Sequence, residues 1–204
     1  MLQKCLDYSL AINFEKSKFH KNEVKFLGHV INGVEIKMQA EKVNVIQDWP
    51  MPTKKKQVQA FLRFANYYRR FIKNYSVKVK PLTELTKDIP FSWKAQHQEA
   101  FDNLKIAFTS APVLQPFDRS RETIIETDTS NQVIASILSQ YLIRDGVKTL
   151  YPIDYHAKTL SAAERNWPIH DKELWAIVSC FRCWHSYLVG VDRKSTRLNS
   201  SHVD

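Results

Sequence analysis

Two acidic residues stand in runs that would project their carboxylates from rigid elements. Asp128 lies in a strand-like run over residues 123–130, and Glu173 lies in a helix-like run over 170–178. Hydrolysis of a phosphodiester with two metal ions needs several acidic oxygens, because each Mg²⁺ keeps near-octahedral oxygen ligation. The pair is compatible with half of a metal-dependent catalytic site. The alternative is that Asp128 only ends a strand and that Glu173 is a surface residue of its helix.

A basic stretch follows a pair of prolines in the segment 49–52. Thr53 is placed to cap a helix whose apolar residues recur at helical spacing as far as Ile72. Between residues 49 and 83 there are nine basic residues and no acidic one, a pattern that favours phosphate binding. The alternative is an exposed basic helix with no ligand. The basic residues are Lys54, Lys55, Lys56, Arg63, Arg69, Arg70, Lys73, Lys78 and Lys80.

The N-terminal part contains a hairpin signal. Apolar residues alternate from Val24 to Val30 and again from Val34 to Met38, on either side of Asn32-Gly33. Because Asn-Gly supplies the positive φ angles of a tight turn, two strands joined at this dipeptide are expected. Taken alone, the pattern is typical of any hairpin and assigns no function.

The C-terminal half shows strands followed by a long helix. Strand-like runs cover 123–127, 133–140 and 149–155, the last two separated by a turn at 144–146. Residues 161–164 read as a capping box, and Pro168 places the start of the main helix after it. The apolar stripe of this helix consists of Leu174, Ile177, Val178, Phe181, Trp184 and Leu188.

A further helix is expected between the basic stretch and these strands. Ser92 is placed to cap it, Phe101 and Phe108 are among its apolar positions, and Pro112 ends it. Its expected role is packing.

Six short motifs occur along the chain in a fixed order. Together they resemble the reverse transcriptase and RNase H segment of a gypsy-class LTR retrotransposon polyprotein. The resemblance runs from about Leu2 to about Gly190. The motifs are FEKSKF (14–19), VKFLGHVI (24–31), NYYRRFI (66–72), SAPVL (110–114), ETD (126–128) and HDKEL (170–174).

The resemblance implies an α+β fold. The C-terminal palm hairpin and helical thumb of a reverse transcriptase would precede an incomplete RNase H-like domain of antiparallel strands and a long helix. It also implies that the sequence is truncated at both ends. The expected parts are a palm remnant (1–48), a basic helical thumb (49–88), a connection (89–120), a partial RNase H-like domain (121–190) and an unrelated, disordered polar tail (191–204).

The resemblance also implies two groups of nucleic-acid-binding residues. The hairpin would grip the end of a primer, with Gly28 letting the backbone approach a sugar-phosphate chain closely. The thumb would bind phosphates, and Tyr67 and Tyr68 would be available to stack on sugars or bases, although their spacing places one of the two in the core. The residues are Phe26, Leu27, Gly28, His29, Lys54, Lys55, Lys56, Arg63, Asn66, Tyr67, Arg69, Arg70 and Lys73.

By the same resemblance, Asp128 and Glu173 are catalytic carboxylates and ligands of Mg²⁺, with Mn²⁺ as an alternative ion. The family uses two further aspartates that this sequence lacks, and no Tyr-x-Asp-Asp motif of the polymerase occurs. Metal binding is therefore expected only if other residues complete the RNase H site. Whether this chain is an enzyme stays open.

Three residues depart from the pattern of the resembled family. Arg63 stands where the family usually has glycine, and it either adds a phosphate contact or blocks the fit of a duplex. Asn131 replaces an acidic residue. Ser136 replaces a glycine and is expected to crowd its strand.

Composition agrees with a nucleic-acid partner but does not establish one. The net charge of +9 favours a polyanion. The expected partners are an RNA–DNA hybrid or another nucleic acid, and the remainder of the polyprotein. No run is long enough to span a membrane and no signal peptide is evident, so an intracellular location is expected, in cytoplasm, nucleus or the virus-like particle of the family.

Three hypotheses about function follow. The chain is a fragment of an enzyme that copies RNA into DNA and cleaves the RNA strand of RNA–DNA hybrids. Alternatively, it is a basic nucleic-acid-binding module without catalysis. In the third hypothesis it is the inert product of a degenerate element.

Overall fold

The computed structural model describes residues 2–144, 146–190 and 196–200, with Arg144 and the last segment described by their backbone alone. The chain combines α and β structure, which confirms the predicted fold class. Two sheets are joined by a helical segment. Among these residues every helix is too short or too polar to cross a lipid bilayer, the two longest having 15 residues each.

The first sheet is an antiparallel meander of three short strands rather than one hairpin. The chain follows helix α1 (Leu2–Asp7) and runs through β1 (Glu23–Phe26), β2 (His29–Asn32) and β3 (Ile36–Met38). The prediction of a single strand reaching Val30 is therefore wrong, because the chain already reverses at residues 27 and 28.

The two reversals use different backbone chemistry. Leu27 and Gly28 have φ angles of 46° and 79°, the left-handed pair that a two-residue hairpin turn requires. Asn32 and Gly33 do not have positive φ, so the prediction for this dipeptide is wrong. Instead, the Asn32 side-chain oxygen accepts the backbone amides of residues 34 and 35 at 2.8 and 2.6 Å, as asparagine does in turns.

The helical segment packs around one apolar core. Phe61 and Phe101 are buried with ring centroids 4.7 Å apart, and Leu82 and Leu104 are fully buried beside them. Burial of this kind supplies the main stabilisation of amphipathic helices. The elements are α2 (Ala40–Gln47), α3 (Lys55–Tyr67), a 3₁₀ turn (Arg69–Phe71), α4 (Tyr75–Glu84) and α5 (Ala95–Thr109).

Three details of the predicted helices are wrong. Thr53 does not cap α3, since its amide and hydroxyl donate to the Gln57 side-chain oxygen at 2.7 and 3.0 Å. Ser92 does not cap α5, which begins after Lys94. The basic helix ends at Tyr67 instead of continuing to Ile72. The aromatic and β-branched residues of 67–72 have modest helix propensity, which agrees with this break.

The second sheet has the strand order β6-β5-β4-β7. β4 (Thr123–Thr129), β5 (Val133–Arg144) and β6 (Val147–Thr159) form an antiparallel meander that confirms the three predicted strands, although β5 and β6 are longer than predicted. Asp128 pairs with Ala135, and Thr127 pairs with Ser136.

The other edge of β4 carries a strand from the polar tail. β7 (Thr196–Ser200) pairs with β4 in parallel. The expectation of disorder is wrong for these five residues. The physical reason is that an open strand edge presents unpaired N–H and C=O groups that a neighbouring segment can satisfy. Residues 191–195 and 201–204, the rest of the predicted tail, lie outside the described residues.

Three helices complete the C-terminal half: α6 (Ala162–Arg165), α7 (Ile169–Cys183) and α8 (His185–Leu188). The capping box is confirmed, since the Glu164 amide donates to Ser161 Oγ while Glu164 Oε2 accepts from the Ser161 amide. The start of α7 after Pro168 is confirmed as well.

The predicted apolar stripe of α7 is only partly buried: Trp184 at its C-terminal end is 1% exposed and belongs to the sheet core, whereas other members face solvent. Leu174 is 60% exposed and Phe181 is 39% exposed. The residues that α7 buries are small or polar: Lys172, Ala176, Ser179 and Cys180. Small side chains allow a helix to lie close to a sheet, and the Cys180 thiol lies 2.8 Å from the Ser136 hydroxyl on β5. The serine that was expected to crowd the strand is therefore accommodated by a hydrogen bond.

The helical segment packs against the outer strand of the second sheet. Ser76 of α4 donates its hydroxyl to the Ala157 carbonyl at 2.7 Å. Arg70 of the 3₁₀ turn contacts the Ile153 carbonyl at 3.4 Å and the Tyr187 hydroxyl at 3.5 Å. Its Nε lies 3.9 Å from an Asp154 carboxylate oxygen. These contacts join the two halves of the molecule.

Candidate nucleic-acid interface and carboxylates

The tip of the β1–β2 hairpin is held against α3 by two tyrosines. Tyr67 donates its hydroxyl to the Leu27 carbonyl at 2.6 Å, and Tyr68 donates to the Gly28 carbonyl at 3.5 Å. Tyr67 is half exposed whereas Tyr68 is buried, so Tyr68 is the tyrosine of this pair that lies in the core. Phe26 and Leu27 are 58% and 67% exposed. The hairpin therefore presents an apolar tip beside an accessible tyrosine.

Gly28 is required by a contact within the protein. A Cβ at this position would lie 2.2 Å from Tyr68 Oη, and the φ of 79° disfavours any side chain. The expected reason for this glycine, close approach of a sugar-phosphate backbone, is not needed to explain it.

His29 is enclosed by aromatic rings. Its ring centroid lies 5.6 Å from that of Tyr67, 5.4 Å from Tyr68 and 5.7 Å from Phe71. Burial lowers the pKa of His29, and its Nε2 has no described hydrogen-bond partner. The geometry gives this predicted nucleic-acid-binding residue a role in locking the hairpin to α3.

The outer face of α3 forms a one-signed polar stripe. Lys56, Arg63, Asn66 and Tyr67 are exposed, with Lys56 two turns before Arg63, and with Asn66 and Tyr67 one turn after it. Lys54 is exposed just before the helix. None of these residues forms an ion pair with a described residue, whereas Lys55 lies 3.9 Å from Asp88. The stripe leads from the helix N-terminus to the hairpin tip.

The first turn of α3 concentrates positive charge where a helix is already positive. Lys54 is the N-cap, and Lys55 and Lys56 follow it with no acidic residue in the first turn. Cations at a helix N-terminus are unfavourable, whereas anions are stabilised there. This arrangement suits a bound phosphate more than it suits the stability of the free helix.

The remaining predicted basic residues have different surroundings. Arg70 is half buried in the junction with β6 and is not part of the exposed stripe. Arg69 is exposed next to it. Lys73 is exposed and borders two cavities, one of which contains Asp128.

Asp128 lines a cavity of about 120 Å³ on the face of the second sheet that meets the helical segment. Successive side chains of a strand alternate between faces. Thr127 and its partner Ser136 lie on the α7 face, because Ser136 contacts Cys180, and Asp128 alternates to the other face. The cavity is also lined by Glu126, Lys73 and Asn74.

Glu173 lies half buried near the start of α7, beside the buried Lys172. The Lys172 ammonium lies 3.4 Å from the Asn131 side-chain oxygen, just beyond the end of β4. The start of α7 and the end of β4 therefore lie at the same end of the sheet. The two predicted carboxylates share that end, but strand alternation directs Asp128 to the face away from α7.

The carboxylates do not by themselves fit the metal ions that the fold implies. Within residues 2–144 and 146–190, no three His, Cys, Asp or Glu side chains are grouped so that they could hold an ion. The cavity of Asp128 contains one other carboxylate, Glu126, together with the cationic Lys73. A two-metal site needs more acidic oxygens than this.

Comparison with known families decides what the sheet and helices represent. A family model described as the RNase H-like domain found in reverse transcriptase matches residues 93–196, more than half of the chain. The chain belongs to this family. The match of the RNase H-like domain includes α5, all of the second sheet as far as the first residue of β7, and α7.

Relatives of this RNase H-like chain include the Transposon Tf2-3 and Tf2-4 polyproteins of Schizosaccharomyces pombe. Each is 34% identical over 189 residues. The similarity covers 92% of this chain and only 14% of each polyprotein. The chain thus spans about a seventh of the length of the curated relatives that it matches.

Solved structures with the same fold extend over both halves of the molecule. A foamy viral protease-reverse transcriptase in complex with an RNA/DNA hybrid has a TM-score of 0.77 and 20% identity, over 99% of this chain and 28% of that chain. The same protein in complex with dsDNA has a TM-score of 0.75 and 21% identity, over 93% and 39%. The arrangement of helices beside an RNase H-like sheet is therefore that of a reverse transcriptase.

Two structural features could not be predicted from the sequence. The first is the contact of Tyr68 with Gly28. Lys172 lies one residue before a predicted catalytic carboxylate and is 5% exposed. A lysine beside Glu173 resembles an ordinary helix-surface residue in sequence, and only the position of α7 shows that it is buried.

Proposed function

We propose that this chain binds an RNA–DNA hybrid or a similar duplex as part of the reverse transcriptase and RNase H of a gypsy-class LTR retrotransposon polyprotein. The order of the six sequence motifs supports the gypsy class. The transposon polyproteins among its relatives and the hybrid bound by the foamy viral enzyme support the nucleic-acid partner. The remainder of the polyprotein would supply the polymerase aspartates and the rest of the nuclease site.

One observation carries the binding proposal: the exposed stripe on α3 that is free of acidic partners. Lys56 and Arg63 present two charges along one face, Lys54 adds a third just before the helix, and Tyr67 and the hairpin tip continue the stripe. Phosphates would bind the charges and release counterions. Tyr67, Phe26 and Leu27 would contact sugars or bases. In this proposal Arg63 adds a phosphate contact, because its side chain lies on the exposed face of the helix.

The binding proposal predicts a defined salt dependence. We expect Lys54→Gln/Lys55→Gln/Lys56→Gln to weaken binding of a labelled RNA–DNA hybrid several-fold in fluorescence anisotropy. The slope of log Kobs against log salt should become shallower by about 2.7 if each lysine contacts one phosphate of a duplex. The matched control is Lys16→Gln/Lys18→Gln/Lys21→Gln, which removes three exposed lysines before β1. Equal slopes for the two triple variants would show that the stripe binds nothing.

Cleavage of the hybrid is the second candidate function. The observation in its favour is that the elements carrying Asp128 and Glu173 meet at one end of the sheet. Because the described carboxylates do not complete a metal site, we expect this chain alone to bind hybrid without cutting it in Mg²⁺ or Mn²⁺. Cleavage that is lost in Asp128→Asn would overturn this expectation and make Asp128 part of a working nuclease. Cleavage that survives this substitution would exclude Asp128 as its catalytic residue.

A further inference from the structure

A second basic cleft lies between α4 and α5, away from the α3 stripe. Its volume is about 320 Å³, which reaches the lower end of the range of roughly 300–1,000 Å³ found for ligand sites. Lys73 and Lys78 line one side. The other side is lined by Asn103 and Ile106 of α5 and by Ser110 at its C-terminal end. The sequence assigns no function to the α5 residues, and it names Lys78 only as a member of the basic stretch.

The charge of the cleft is positive and unbalanced. No acidic residue lines it, and neither Lys73 nor Lys78 forms an ion pair or hydrogen bond with a described side chain. The Asn103 side chain is exposed and has two amide donors and an oxygen acceptor available. Two ammonium groups suit a phosphate, and an amide suits the edge of a base.

The rest of the lining is apolar. Ile106 is 62% exposed at the mouth, and Ile72, Ala107 and Pro112 contribute further apolar surface. An exposed apolar side chain beside phosphate-binding groups offers an unpaired base a surface on which to bury apolar area. The bases of a duplex are stacked and cannot reach such a surface, whereas those of a single strand can.

Lys73 connects this cleft with the cavity of Asp128, since this residue lines both. We propose that the α4–α5 cleft holds a single-stranded segment of nucleic acid that adjoins the duplex, with Lys73 and Lys78 on its phosphates and Ile106 beneath a base. The inference rests on the proposed function and extends it from a duplex to the strand that leaves the duplex.

The test compares two labelled probes, a blunt RNA–DNA hybrid and the same hybrid with a single-stranded extension of about ten nucleotides. We expect the extension to raise the affinity of the wild-type chain several-fold. Lys73→Gln/Lys78→Gln should abolish this gain and reduce the salt slope for the extended probe by about 1.4, since each single-strand phosphate contributes about 0.7. Ile106→Ala keeps the charge and should lose most of the gain without changing the slope.

The matched control is Lys16→Gln/Lys21→Gln, which removes the same charge from exposed positions before β1. Circular dichroism would confirm that each variant is folded. Normal binding of the blunt hybrid with no gain from the extension would overturn the proposed role of the cleft while leaving the proposed function intact. Equal losses for both probes in the Lys73/Lys78 variant would overturn the single-strand assignment. Failure of blunt-hybrid binding with a retained lysine-dependent affinity for single strand would instead overturn the proposed function.

Discussion

At the scale of single residues, the structure gives a different reason for Gly28 from the one that the sequence indicated. The motif VKFLGHVI marked a backbone position that needs glycine, and the structure agrees. The partner in the close contact is Tyr68, 40 residues away, and not a nucleic acid. Local sequence shows where a side chain is missing, but it does not show what fills the space. That depends on how α3 lies against the hairpin.

Gly28→Ala is expected to destabilise the fold by at least about 1–3 kcal/mol, because alanine must adopt a left-handed φ and displace Tyr68 Oη. Gly33→Ala is the matched control, since nothing lies within 4 Å of an added Cβ and the φ is not positive. Urea denaturation measures both free energies of unfolding. Equal values for the two variants would show that the Leu27-Gly28 turn is not constrained as described.

Asn131→Asp is expected to stabilise the protein by about 1 kcal/mol. The Lys172 ammonium is buried, and its described partner is a neutral amide oxygen at 3.4 Å. A carboxylate at that position adds the attraction of an opposite charge to the hydrogen bond that the ammonium already donates, and a partly buried ion pair is less screened than an exposed one. Thermal unfolding would show a higher Tm for Asn131→Asp and a lower one for Asn131→Ala. A decrease in Tm for the aspartate would mean that the ammonium does not face residue 131.

At the scale of secondary-structure elements, some features could be read from sequence and others could not. The capping box at Ser161 and the strand pattern before it are local, and both appear in the structure. The buried face of α7 is not local. Apolar periodicity selected Leu174 and Phe181, but the sheet accepts the face of Ala176 and Cys180 because small residues allow close packing. The positions of Asp128 and Glu173 depend on the same packing.

The contact between β6 and α7 makes stability depend on pH. Burial lowers the pKa of His156, whose ring lies 3.2 Å from Ser179 Oγ, and burial likewise lowers the pKa of His29. The folded state therefore favours the neutral form of each histidine. The contribution of the two neutral histidines to the free energy of unfolding is complete above the pKa of about 6.5 that they have in the unfolded chain. This contribution is lost as the pH falls through that value toward the lower pKa of the folded state.

We expect the urea midpoint to fall as the pH is lowered from 7.5 to about 5.5, in the range set by the ordinary histidine pKa. His156→Gln can keep a hydrogen bond to Ser179 and should reduce this dependence. His170→Gln, at an exposed position of α7, should leave it unchanged. Identical pH profiles for the wild type and His156→Gln would show that His156 does not cause the pH dependence of stability.

At the scale of the whole molecule, the helical segment and the RNase H-like sheet are joined by a polar contact. Arg70 and Asp154 lie at the centre of it, with side chains 30% and 17% exposed. Burial raises the pKa of Asp154 while the Arg70 guanidinium opposes that shift. Arg70 was selected from sequence as a phosphate contact because a basic motif does not show which of its arginines points inward.

Arg70→Met is expected to cost about 1–3 kcal/mol, because it removes the cationic partner of the Asp154 carboxylate and the guanidinium contact of the Ile153 carbonyl in a poorly hydrated junction. Adding Asp154→Asn should recover part of that loss. Tryptophan fluorescence during urea unfolding reports on both halves, through Trp49 in the helical core and Trp184 in the sheet core. If the single variant is as stable as the wild type, the ion pair does not hold the halves together.

The parallel pairing of β7 with β4 has a consequence for how this sheet can change over time. The two strands pair through main-chain N–H and C=O groups, and every residue except proline supplies both groups. A strand edge that pairs through these groups places little constraint on the side chains of the neighbouring strand. The amino-acid sequence of the segment that pairs with β4 can therefore change with little effect on the pairing. The residues of β4 itself remain constrained, because their side chains pack in the core.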